Sequence, residues 1–106
     1  MTTLEKVRLF ERYLELTRGQ SDQTLDAVLD KLLARKRKEL EQHRAKLYTE
    51  LTAFERQYRL GSAEFFEKFK RGEMGDAADF FDWSATWQLY NSTLNYLQAL
   101  AFEPVG

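Results

Sequence analysis

Between Leu25 and Tyr58 the positions that could bury side chains recur every 11 residues in three parallel series: Leu25, Lys36, Leu47 and Tyr58; Leu29, Leu40 and Leu51; Leu32, His43 and Phe54. Eleven residues over three turns is about 3.67 per turn, so the stripe hardly drifts around a straight helix, and any supercoil is expected to be slight and right-handed. The pattern predicts one long central helix over about 22–60, uninterrupted by Pro or Gly until Gly61. The expected N-cap is Ser21 or Asp22, whose side-chain oxygen can accept from amides of the first turn. Upstream, Leu4, Val7, Phe10 and Leu14 form one apolar face and Leu9, Tyr13 and Leu16 another, which predicts a helix over roughly 3–18 buried on two sides and stopped by Gly19.

Downstream, Gly61 followed by Ser62 reads as a C-cap glycine and an N-cap serine. They open a short helix that points Phe65, Phe66 and Phe69 one way. Arg71-Gly72 closes it, Met74-Gly75 turns the chain, and Asp76 starts the last helix, about 76–102, with Asp79 placed for a contact like that of a capping box. The stripe Phe80, Trp83, Trp87, Tyr90, Leu94, Leu97 and Ala101 alternates spacings of three and four, a heptad seam. The expected fold is all-α: an elongated bundle of four helices in a single domain, 1–106. The first helix would fold back on the long one and the last would pack antiparallel to it. One face remains uncovered in this arrangement, which calls for a homodimer or a different protein.

Composition supports order. The chain has 106 residues, 43% hydrophobic and 31% charged, with one Pro, five Gly and no Cys, so disulfides and thiolate metal sites are excluded. The opening segment carries charges within its apolar run and nowhere do 18 apolar residues occur together. Neither a targeting sequence nor a membrane span is expected, and a cytoplasmic location is.

Net charge is −1, but residues 1–72 hold all 16 Lys and Arg whereas 73–106 hold five acids and no base. The basic stretch 31–46, with Arg35-Lys36-Arg37-Lys38 at its centre, is the region where nucleic-acid binding could be argued. A helix spreads those charges around its circumference beside Glu39 and Glu41, and a solvated mid-helix or a dock for acidic partners is the preferred reading, with nucleic acid not expected as a partner. Arg37 and His43 match the Arg-x(4–6)-His spacing of helical ribonucleases of the HEPN type, but His43 is the sole histidine and no nucleophile, base and orienter can be assembled around it. No catalytic residue is assigned. Glu73, Asp76, Asp79 and Asp82 are read as helix-start acids rather than metal ligands, so neither metal nor cofactor is expected.

Lys36 and His43 interrupt the apolar stripe, where polar residues can set register and partner choice. Phe81 and Tyr96 fall off the last helix's seam and belong to the residue types enriched at interfaces. These four are the expected partner-binding residues.

The segment Phe65-x3-Phe69-x2-Gly72-x2-Gly75-Asp76-x2-Asp79-Phe80-x2-Trp83, preceded by a long charged helix, resembles a group of small all-helical prokaryotic proteins commonly encoded beside toxin-like partners. Asp82 stands where that pattern has Glu. The resemblance implies an antitoxin-like role in a type II toxin–antitoxin pair, in which one protein binds and neutralises the other. The leading expectation is therefore a non-enzymatic protein-binding subunit. A self-associating structural coiled coil, and a HEPN-like ribonuclease or nucleic-acid binder using 31–46, are the alternatives.

Overall fold

Four helices appear in the computed structural model, which describes residues 1–18, 20 and 22–101: α1 (Thr3–Leu16), α2 (Gln23–Tyr58), α3 (Ser62–Lys70) and α4 (Ala78–Leu100). The expected roles of Gly19, Ser21 and Phe102 lie outside the described residues. The chain falls into two units, Met1–Leu32 and Leu33–Gly106.

In the first unit, α1 opens on a capping box: the Thr2 hydroxyl accepts from the Glu5 amide at 3.1 Å, and the Glu5 carboxylate accepts from the Thr2 amide at 3.2 Å. Two orphan amides are thereby satisfied. Arg18 closes the helix with φ 56°. Asp22 begins α2 by accepting from the Leu25 amide at 2.9 Å.

The expectation that α1 is buried on two sides is not met, for α1 buries none of its residues. Leu4, Val7, Leu9, Phe10, Tyr13 and Leu16 are all exposed, as are Val28, Leu29 and Leu32. The periodicity marks which side chains can be buried together, but not what will cover them.

The second unit holds the core. Leu51, Phe65 and Trp83 are buried, with Phe54, Tyr58, Leu60, Phe66, Phe69, Met74, Phe80, Trp87 and Tyr90 packed around them. α4 runs antiparallel to α2: Tyr58 meets Phe80, Phe54 meets Trp83, Tyr48 meets Tyr90, and the Arg37 guanidinium donates to the Leu100 carbonyl at 2.8 Å. α3 and α4 come within 8 Å, Cα to Cα, a proximity helped by the small Ser62 at their contact.

Several chain ends differ from expectation. α2 stops at Tyr58, and Arg59 takes φ 51° while the Leu60 amide donates to the Glu55 carbonyl at 3.3 Å. This is a Schellman closure built on a residue with a Cβ. Gly61, read as the C-cap glycine, has φ −69° and is the N-cap position of α3. α3 ends as expected, with Gly72 at φ 74° and the Glu73 amide donating to the Lys68 carbonyl at 2.9 Å. Gly75, at φ 81°, makes the turn that follows.

α4 begins two residues later than expected. Ala77 occupies its N-cap position without a side-chain cap, so Asp76 does not start the helix. Asp79 accepts from the Tyr58 hydroxyl instead of capping.

The seam of α4 also shifts along its length. Leu94 is 37% exposed and Thr93 only 3%. The first half of α4 packs between α2 and α3, whereas α3 spans only nine residues. Beyond its reach α2 alone provides cover, so the buried face rotates towards Thr93, Leu97 and Leu100.

Candidate protein-binding surfaces

The residues of the sequence motif divide between scaffold and surface. Phe65, Phe69, Phe80 and Trp83 meet in the core, where the Phe65 and Trp83 rings stack with centroids 3.8 Å apart and planes 4° apart. The Trp83 indole N–H donates to the Ser62 hydroxyl at 2.9 Å, so the largest buried side chain has its one polar atom satisfied. Ser62 is held in turn by Glu55, whose carboxylate accepts from the Ser62 amide at 2.8 Å. The last turns of α2 thus supply the acceptor that α3 lacks from its own Gly61, and α3 presents the hydroxyl that orients Trp83. Tyr58 anchors the start of α4 through Asp79. This hydrogen bond, reinforced by partial burial, raises the Tyr58 pKa above its ordinary value. Among the described residues, every buried side-chain nitrogen or oxygen has a hydrogen-bond partner.

Sequence reasoning missed Glu55, Ser62 and Tyr58 in these roles. Their partners lie 7 and 21 positions away, beyond the reach of a local pattern. Thr2-x-x-Glu5, by contrast, is a capping-box signature that was available in the chain.

Of the four expected partner-binding residues, Phe81 and Tyr96 are more than half exposed, at 56% and 59%. Phe81 stands edge-on to Phe69 at 5.4 Å. Lys36 is exposed and pairs with Glu39 at 3.4 Å, and Arg35 reaches the same carboxylate at 3.2 Å. The hydrogen bond from Lys36, then that from Arg35, lowers the Glu39 pKa. The structure brings Lys36 and Tyr96 to one shallow groove, lined by Lys36, Leu40, Tyr96, Ala99 and Leu100. His43 is exposed and does not line that groove.

Arg37 and His43 fall about 120° apart around α2 at ~3.6 residues per turn. Arg37 is already engaged with the Leu100 carbonyl, so the pair does not converge on a common point. Among the described residues, no group of three or more His, Cys, Asp or Glu is placed to hold a metal ion. No helix of the described residues is long and apolar enough to cross a membrane.

An apolar surface of the first unit lies on α1. At about 100° per residue, Val7, Leu9, Phe10, Tyr13, Leu14 and Leu16 cover close to half its circumference, and Lys6, Leu9, Phe10 and Tyr13 frame a shallow depression. Glu5, Arg8, Arg12 and Glu15 occupy the opposite side. Sequence reasoning identified these apolar residues but placed them in the interior of the fold. No family model, curated protein or solved structure matches the chain.

Proposed function

We propose that the chain is a non-enzymatic protein-binding subunit, antitoxin-like in role, that occludes a partner protein by docking the apolar face of α1 on it. The observation that carries this reading is the exposure of an amphipathic helix: α1 buries no residue, Leu14 is half-buried, and Val7, Leu9, Phe10 and Tyr13 face solvent from one side. Side chains of this size each contribute about 1.5–3 kcal/mol when fully covered, so a partner that seats three or four of them gains a sum comparable to a domain's net stability of roughly 5–15 kcal/mol. Helix-in-groove recognition uses anchors at i, i+3 and i+7, the spacing of Val7, Phe10 and Leu14. The motif through Phe65, Gly72, Gly75, Asp79 and Trp83 supports the antitoxin-like reading by resemblance, while its residues serve packing and turns within this chain.

The test is co-purification with the protein encoded next to this one. The expected result is a complex stable at micromolar concentration that weakens at least tenfold when Phe10 and Tyr13 are both replaced by Arg. Absence of any complex at that concentration overturns the reading.

A further inference from the structure

The face of α4 turned away from the core carries an unusual pattern. From Trp83 to Leu100 the chain has no charged residue, although soluble surfaces run to about 25–35% charged. The outer face is Ala78, Phe81, Asp82, Ala85, Gln88, Leu89, Ser92, Asn95, Tyr96 and Ala99, all exposed except the half-buried Ser92. On a helix of about 100° per residue these positions share one arc, opposite the arc that holds Trp83, Trp87, Tyr90 and Leu97. An exposed helix face normally carries more charge than this one, whose sole charged residue is Asp82 beside the exposed Phe81, Leu89 and Tyr96. α2 and α3 cover one side of α4.

The outer face reads nearly the same in both directions about a point between Gln88 and Leu89. Reversed on itself, it sets Ala78 against Ala99, Phe81 against Tyr96, Asp82 against Asn95, Ala85 against Ser92, and Gln88 against Leu89. Small positions meet small ones, the two exposed aromatics meet each other, and the one carboxylate meets an amide that can donate to it. A contact between identical copies about a two-fold axis needs a surface that is complementary to itself when reversed, whereas a contact with a different protein places no such demand. The small residues at seven-residue intervals would let the two helix axes approach to about 8 Å.

We infer that a second copy of this chain covers the outer face of α4, the two α4 helices packing antiparallel with Phe81 of each copy against Tyr96 of the other. The inference deepens the protein-binding reading by naming one partner, and it uses a surface separate from α1, so either can fail alone. An interface at the lower bound for specific ones, roughly 1,200 Å² in total, corresponds to a dimer that dissociates in the micromolar range.

The absence of cysteine makes the test direct. Chains carrying Ala78→Cys are mixed with chains carrying Ala99→Cys at concentrations where the wild type sediments at twice 12.6 kDa, and then oxidised mildly. Antiparallel pairing predicts disulfides between the two variants and at least tenfold fewer within either one, since two copies of Ala78 would lie about 31 Å apart at ~1.5 Å per residue. Phe81→Arg or Tyr96→Arg, with helical content unchanged by circular dichroism, should raise the dimer dissociation constant at least tenfold. The inference is overturned by a chain that stays at 12.6 kDa up to about 100 micromolar, well above the range expected for such an interface. It is equally overturned by a dimer that survives both Arg substitutions but dissolves on Phe10→Arg, or by disulfides that form within each variant instead of between them.

Discussion

The two units use similar side chains for opposite ends. In the second, aromatic residues from α2, α3 and α4 close on Trp83, and the polar atoms drawn in with them are satisfied by Ser62, Glu55 and Asp79. In the first, seven large apolar residues share α1 and none is buried. What separates them is the supply of covering surface rather than hydrophobicity. Trp83 has two other helices to pack against, while the α1 stripe has none from its own unit that encloses it. The same hydrophobic effect that stabilises the second unit would, in the first, be gained only when the α1 stripe is covered, as the proposed function requires.

The contrast can be broken most forcefully at its buried end. Trp83→Ala should cost about 3–5 kcal/mol, as expected for a large aromatic deleted from a packed site, whereas Phe10→Ala should change the stability of the uncomplexed chain by no more than ~0.5 kcal/mol. Urea denaturation of the two variants measures both, and equal losses would erase the distinction. Ser62→Ala tests the polar part of the core. It strands the indole N–H of Trp83 and should cost about 1–3 kcal/mol, with the largest change in tryptophan fluorescence among the serine-to-alanine variants.

A smaller effect of opposite sign is expected at Arg59. Its left-handed conformation costs a residue with a Cβ about 1 kcal/mol, and Arg59→Gly should return most of that as a higher denaturation midpoint. Smallest is a pH effect. Because the Tyr58 pKa is raised in the folded chain, its contribution is complete below the ordinary tyrosine range and is lost as pH rises through the raised value. Stability should fall on the alkaline side, and Tyr58→Phe should flatten that limb without altering the neutral plateau's shape.

The order and number of helices were legible because hydrophobic periodicity and glycine punctuation act locally. Gly72 and Gly75 stand where positive φ is needed, Asp22 caps α2, and Phe65, Phe80 and Trp83 enter the core as their spacing implies. What escaped depends on contacts far apart in the chain. Nothing in Arg59 announces a left-handed residue, since arginine disfavours that region and is held there by the chain reversal into α3. Asp79 looks like a cap until Tyr58, 21 positions earlier, takes its carboxylate. The heptad seam of α4 was extended in sequence past Tyr90, although the short α3 leaves the buried face free to rotate towards Thr93. On the surface, Phe81 and Tyr96 were recognisable because they fall outside the seam, whereas the reversal symmetry that joins them emerges only once the outer face is defined. For α1 the periodicity identifies the apolar stripe but points it to the interior, because it marks a face and not its occupant.

Under the proposed function, the apolar face of α1, exposed in its own unit, becomes covered by another protein. Amide hydrogen exchange measured residue by residue, on dilute monomer and again with the adjacent gene product, tests it most directly. Amides from Leu4 to Tyr13 should exchange far faster than those around Trp83 in the monomer and slow markedly in the complex. Protection of α1 equal to that of α4 in a monomer of 12.6 kDa would contradict it.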